Sequence, residues 1–130
     1  MKKKILVTGG GGFIGSHLVE TLIKDGHSVK TIVPYNPDNS WGWIDSFEPN
    51  IKKNLEIISG DICDQNLVSK LVKNVDVIFH LAALISIPYS YVSPRSYIST
   101  NIMGTLNLLE ASRNSNVELF VQTSTSEVYG

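Results

Sequence analysis

With 130 residues, 42% of them hydrophobic, the chain is long enough for one packed domain and apolar enough to build its core. A net charge of -1, with 18% of residues charged, gives no electrostatic reason to expect a nucleic-acid or membrane partner. The basic run Lys2-Lys3-Lys4 is followed by only Ile5-Leu6-Val7, far short of the roughly 7–15 apolar residues of a secretory signal. No segment approaches the ~20 apolar residues of a membrane span, so a cytoplasmic protein is expected. The single cysteine, Cys63, excludes an intrachain disulfide and a thiolate zinc site, and no metal is predicted.

Apolar runs alternate with amphipathic segments from the start of the chain, the pattern of parallel α/β folding. Ile5-Leu6-Val7 predicts a short buried strand that stops at Thr8 and Gly9. Phe13 to Asp25 predicts a helix with the apolar stripe Ile14, Leu18 and Leu22, joined by Val19 and Ile23, and with Gly26 in the C-cap position. Ser28 to Val33 predicts a second strand, ended by Pro34. Pro34 to Asn50 is rich in Pro, Asn, Ser and Trp and has no sustained period. It predicts a long loop with one short helical turn, of the kind that is usually functional or mobile.

Leu55 to Ser59 predicts the third strand, Asp64 to Val72 a short helix, and Val75 to Leu81 the fourth strand. A long helix is predicted from about Pro94, with Ser93 as N-cap and Ile98, Ile102, Leu106 and Leu109 as its buried stripe. Leu119 to Gln122 predicts the fifth strand, which runs into the polar stretch Thr123–Glu127. Five strands with helical crossovers predict an α/β, Rossmann-type, doubly wound parallel sheet in the order 3-2-1-4-5. Residues 1–130 read as one dinucleotide-binding domain. A chain that stops at Gly130, directly after a strand-end polar motif, reads as a truncated fold, the amino-terminal piece of a longer protein with its substrate domain beyond it.

The chemistry starts at Thr8-Gly9-Gly10-Gly11-Gly12-Phe13-Ile14-Gly15, between a predicted strand and a predicted helix. In that context a glycine fingerprint binds pyrophosphate: the turn is tight, its backbone approaches phosphate, and the helix amino terminus offers free N–H groups and a positive dipole end. Two registers fit, Gly10-x-Gly12-x-x-Gly15 and Gly9-x-x-Gly12-x-x-Gly15. Thr8 before the glycines favours the second, because Thr-Gly-x-x-Gly-x-x-Gly resembles the short-chain dehydrogenase/reductase superfamily. Gly12-Phe13-Ile14-Gly15-Ser16-His17-Leu18 is similar to its extended branch, the nucleotide-sugar epimerases and dehydratases. Three more stretches carry the likeness: Gly60–Asp64, Phe79-His80-Leu81-Ala82-Ala83, and Asn101 to Ala111. The resemblance covers essentially the whole chain.

That resemblance implies a role for each matching position. Gly9, Gly12, Phe13, Ile14 and Gly15 would hold the pyrophosphate of NAD or NADP. Asp61 would accept from the adenine amine, with the Ile62 backbone beside it. Leu81, Ala82 and Ala83 would floor the ribose and nicotinamide, and Asn101 would join the polar network behind the active site. His80, His17 and His27 read as structural residues. The acidic residue expected at the end of the second strand is replaced by Val33 and Pro34, and no arginine stands in for it. The choice between NAD and NADP therefore stays open, with Tyr35 and Asn36 as the ribose contacts.

Ser124-Thr125-Ser126-Glu127-Val128-Tyr129-Gly130 resembles the signature of nucleotide-sugar 4,6-dehydratases. The resemblance gives Thr125 a hydrogen bond to the sugar at the oxidised carbon. It makes Glu127 the base that removes the C5 proton, and puts Ser126 where other members carry an acid for the leaving hydroxyl. Ser126 matches the type acting on guanosine-diphosphate mannose. The loop Tyr35-Asn36-Pro37 with Trp41-Gly42-Trp43 is similar to that of bacterial and archaeal enzymes acting on N-acetylhexosamine nucleotides. The superfamily's Tyr-x-x-x-Lys pair does not occur within these residues and is expected beyond Gly130. Three functions follow as expectations: a 4,6-dehydratase first, a 4-epimerase second, and a non-catalytic NAD(P)-binding module third. The expected partners are a nucleotide sugar and, at full length, a second copy in a homodimer.

Overall fold

The computed structural model describes residues 1–130. Five parallel strands form one sheet in the order β3-β2-β1-β4-β5: β1 (Lys4–Thr8), β2 (Ser28–Val33), β3 (Leu55–Ser59), β4 (Val77–His80) and β5 (Leu119–Gln122). The helices are α1 (Phe13–Lys24), α2 (Pro49–Lys52), α3 (Gln65–Leu71), α4 (Ile87–Val92), α5 (Pro94–Tyr97) and α6 (Thr105–Arg113). A π-helical segment, Ile98–Gly104, joins α5 to α6 without a break in helical backbone. Single 3-10 turns occupy Gly42–Ser46 and Ser126–Tyr129. No helix is long and apolar enough to cross a membrane.

The strand alternation sorts the core into two layers. Leu6, Ile32 and Ile78 face Val68, Leu71, Leu108 and Ala111 of α3 and α6. Ile5, Val7 and Val29 face Val19, Leu22 and Ile23 of α1. Because β1 lies centrally and is covered on both faces, it reads as a continuous apolar run rather than an alternating one. Each such buried aliphatic side chain contributes about 1.5–3 kcal/mol.

Strand order and most strand bounds agree with the sequence reading; the apolar stripe of α1 agrees except at Ile14, and that of the long helix does not. Ile14 is 70% exposed; Gly15, Ser16, Val19, Leu22 and Ile23 form the buried face. On the long helix Ile98, Ile102, Leu106 and Leu109 are 55%, 60%, 44% and 45% exposed. Gly104, Leu108 and Ala111 are buried instead. The helix approaches so closely that a Cβ on Gly104 would stand 2.6 Å from the Ile62 side chain. Ser93 stands before α5, yet its hydroxyl pairs with the Ser96 hydroxyl and caps no amide. Helix α4 was not foreseen, and the predicted loop at 34–50 carries both the 3-10 turn and the start of α2.

Candidate functional site

Parallel register brings the motifs to one edge. Thr8 of β1 pairs with Ile32 of β2 and His80 of β4, and His80 pairs with Gln122 of β5. Val33 pairs with Ser59 of β3. The glycine turn, the segment Pro34–Asn36, Gly60–Ile62, Leu81–Ala83 and Thr123–Glu127 therefore all leave the sheet from its carboxyl ends. In open α/β sheets that is where ligands bind. Two open, polar hollows beside Lys2 lie at the opposite edge, away from every motif.

The glycines of the turn differ in how tightly the fold holds them. Gly9 has φ +76, and a Cβ there would come within 2.9 Å of the Ala82 amide. A Cβ on Gly10 would reach the Thr31 hydroxyl at 2.2 Å, and one on Gly15 would reach the Gly9 carbonyl at 2.2 Å. Gly12 differs. Its backbone (φ -75, ψ 170) suits any residue, and an added Cβ would meet only the Gly9 carbonyl, at 3.3 Å. Packing presses on this position far less than on its neighbours, since a shift of a few tenths of an ångström would admit a Cβ, whereas a ligand seated against the backbone would leave it no room. The Gly12 carbonyl accepts from Ser16 N–H at 2.9 Å, while no acceptor in the chain takes the Phe13 or Ile14 amide. These free amides at the amino end of a twelve-residue helix suit an anionic group. A dinucleotide pyrophosphate fits this cradle.

Behind the turn runs a buried hydrogen-bond chain. The Thr8 hydroxyl oxygen accepts from Leu81 N–H (3.2 Å) and Ala82 N–H (3.1 Å), so its own proton goes to His80 Nδ1, 2.6 Å away. Thr105 donates its hydroxyl to the Asn101 carbonyl (2.8 Å) and so accepts from His80 Nε2 at 2.8 Å. Only the neutral Nε2–H tautomer satisfies both ends. Burial pushes the His80 pKa down to about 4, in keeping with that form. His80 thus ties the end of β1 to the long helix and is structural, as its place at a strand end suggested.

The π-helical segment carries Asn101, whose side chain holds Leu84 at both ends. Asn101 Oδ1 accepts the Leu84 amide at 2.8 Å and Nδ2 donates to its carbonyl at 2.9 Å. Asn101 therefore fixes the backbone that continues from Leu81-Ala82-Ala83. Asn107 donates to the Ile62 and Cys63 carbonyls at 3.0 and 3.1 Å, anchoring the segment after Asp61. Asp61 is exposed; one carboxylate oxygen accepts the Cys63 amide at 2.8 Å, which makes it a turn residue with its other oxygen uncommitted.

The remaining candidates are arranged as follows. Tyr35 is exposed, while the Asn36 side chain is engaged with Ser40, donating to its carbonyl (2.6 Å) and accepting its amide (3.0 Å). Thr125 caps the last 3-10 turn by accepting the Glu127 amide at 3.3 Å, and Thr125, Ser126 and Glu127 are all exposed. The sequence reading missed the Thr8–His80–Thr105 chain and the docking of the Trp41-Gly42-Trp43 loop on the glycine turn. Gly42 beside two tryptophans was the available signal for the second.

Residues 6–130 match the family model described as GDP-mannose 4,6 dehydratase. A UDP-N-acetyl-alpha-D-glucosaminuronate decarboxylase of Bacillus cytotoxicus is 42% identical over 100% of this chain and 39% of its own length. A UDP-N-acetylglucosamine 4-epimerase from Methanobrevibacter ruminantium, solved with UDP-N-acetylmuramic acid, superposes with TM-score 0.84 at 40% identity, over 100% of this chain and 40% of that one. A UDP-glucose 4-epimerase from Bifidobacterium longum, in complex with NAD+ and UDP, superposes with TM-score 0.83 at 30% identity, over 98% of this chain and 38% of that one. The chain spans about two fifths of the length of these proteins.

Proposed function

The chain belongs to the GDP-mannose 4,6 dehydratase family, and on that premise we propose that the whole protein is an NAD-dependent nucleotide-sugar 4,6-dehydratase. The observation that carries the reading is Glu127, two residues after Thr125 at the sheet edge shared with the glycine turn. An epimerase that only oxidises and re-reduces C4 has no use for a carboxylate that takes the C5 proton.

In this reading the free amides of Phe13 and Ile14 hold the pyrophosphate at the open face of Gly12. Asp61 offers its uncommitted oxygen to the adenine amine, and the stretch Leu81–Ala83, anchored at the adjoining Leu84 by Asn101, supports the nicotinamide half. Bound NAD supplies the hydride acceptor for the sugar C4 and the hydride donor for C6. NAD is favoured over NADP because residues 34–47 contain no lysine or arginine to meet a 2′-phosphate. Thr125 donates its hydroxyl to the sugar oxygen at C4. Once C4 is a ketone the C5 proton is acidified; Glu127 removes it, the C5–C6 double bond forms, and the C6 hydroxyl leaves as water by taking up that proton from Glu127, with Ser126 beside the departing group. The proton-relay tyrosine and its lysine would come from the remainder of the protein. The exposed stripe Ile98, Ile102, Leu106 and Leu109 supports a homodimer of the whole protein.

The test uses the full-length protein. Glu127→Gln should bind NAD and still oxidise C4, but elimination should stall, so that reduced cofactor and a 4-keto sugar keeping its 6-hydroxyl accumulate. Loss of a general base of this kind lowers the rate by about 10²–10⁴. Dehydration at the parent rate would make Glu127 a bystander. The epimerase reading, favoured by the two solved neighbours, would then lead.

A further inference from the structure

The segment between β2 and α2 is stitched into a closed strap and seated on the outside of the glycine turn. Its inner knot is Asp45. The Asp45 carboxylate accepts from the Ser40 hydroxyl at 2.7 Å and from the Trp41 amide at 3.1 Å, and its carbonyl accepts from Lys52 Nζ at 2.8 Å. The Ser40 hydroxyl in turn accepts the Gly42 amide at 3.2 Å. These bonds hold Trp41-Gly42-Trp43 against Gly11. The Trp43 amide donates to the Gly11 carbonyl at 3.0 Å, and the Trp43 ring meets Phe13 edge-on at 5.3 Å. The fit is close enough that Gly42, at φ +66, has no room for a Cβ, which would stand 2.4 Å from the Gly11 carbonyl oxygen. Gly11 itself lies between the Trp41 carbonyl and the buried Val33 side chain.

The consequence falls on one peptide plane. The carbonyl of Gly11 and the amide of Gly12 belong to the same planar unit. The strap holds its oxygen through Trp43, and the turn holds its N–H through the Gly9 carbonyl at 3.1 Å. Pinned at both ends, that plane sets the direction in which the next amides, Phe13 and Ile14, are presented. We propose that residues 36–47 form a positioning strap for the pyrophosphate turn, with Asp45 as its key positioning residue, so that dinucleotide affinity depends on a contact outside the glycine motif. The proposal rests on the dinucleotide reading of the turn. It also explains how a chain with Val33 in place of a strand-end carboxylate braces this side of its cofactor site: support comes from a folded loop.

The intact protein should be titrated calorimetrically with NAD and with ADP, which share the pyrophosphate. Asp45→Ala unties the strap, Gly42→Ala pushes it off Gly11, and Asp45→Asn keeps an acceptor for the Trp41 amide. The first two should weaken both ligands roughly tenfold, the scale of one net hydrogen bond, and Asp45→Asn should stay close to the parent. Melting temperatures measured without ligand separate positioning from stability, since a merely structural strap would shift melting and leave affinity alone. A parent that binds neither ligand overturns the dinucleotide reading, and the strap with it. A parent that binds both, with folded Asp45→Ala and Gly42→Ala variants that bind as tightly, overturns the strap alone.

Discussion

Acid should destabilise this domain through one buried ring, His80. The residue is 1% exposed and its two nitrogens are committed to Thr8 and Thr105 in the neutral Nε2–H form. Protonation would put a hydrogen on Nδ1, facing a Thr8 hydroxyl whose oxygen already accepts two amides. Burial lowers the pKa from 6.5 to about 4. The folded-state value is thus the depressed one, and the stabilisation is fully present above pH 6.5. It is lost as the pH falls from 6.5 toward 4, where the unfolded chain takes a proton that the native state refuses. The slope in that window is about 1.4 kcal/mol per pH unit, so the whole interval removes about 3 kcal/mol. A domain of this size is stable by about 5–15 kcal/mol in total, so the loss is a large share. Denaturant unfolding followed by the fluorescence of Trp41 and Trp43, repeated across this range, measures it. His80→Asn should be less stable at neutral pH but flatter between pH 6.5 and 4. Parallel stability curves for parent and variant would refute the linkage and the tautomer assignment together.

Two further predictions test the glycine turn and its neighbour. Gly12→Val should keep the fold, since its Cβ meets only one atom at 3.3 Å, yet abolish NAD binding by calorimetry; Gly15→Ala, with a Cβ 2.2 Å from the Gly9 carbonyl, should instead lower the melting temperature. Restoring the missing carboxylate as Val33→Asp should not create a ribose ligand, because position 33 is 3% exposed and covered by Gly11. The buried charge should cost several kcal/mol, and a stable variant with sharpened NAD selectivity would show that the strap opens there.

What could be read before the structure depended on local chemistry. The second, third and fifth strands run over the residues that their apolar runs indicated, and sequential strands with crossovers leave few sheet orders open. Glycines between a strand and a helix point to a phosphate turn, and here a side chain would be strained at Gly9 (φ +76) and would collide with backbone at both Gly9 and Gly15. The place of Asp61 and Thr125–Glu127 at one sheet edge follows from their nearness to strand ends and from parallel register, whereas Asn101 reaches that edge from the long helix through its contact with Leu84.

The remainder depended on contacts distant in sequence. An apolar stripe at helical spacing says that a face prefers cover, without saying what covers it. Ile98, Ile102, Leu106 and Leu109 look inward in the sequence, but the sheet accepts the side where Gly104 lets the helix press against Ile62. Only the register of β1 against β4 puts the Thr8 hydroxyl beside His80, 72 residues away, and so selects one tautomer. Only the folded loop shows why Gly42 must be glycine, since the atom it avoids belongs to Gly11 in another turn. Periodicity and turn chemistry are properties of neighbours along the chain, and they determined the strands, their order and the glycine cradle. Burial, tautomer and strap are properties of neighbours in space, and the sheet had to assemble before they were decided.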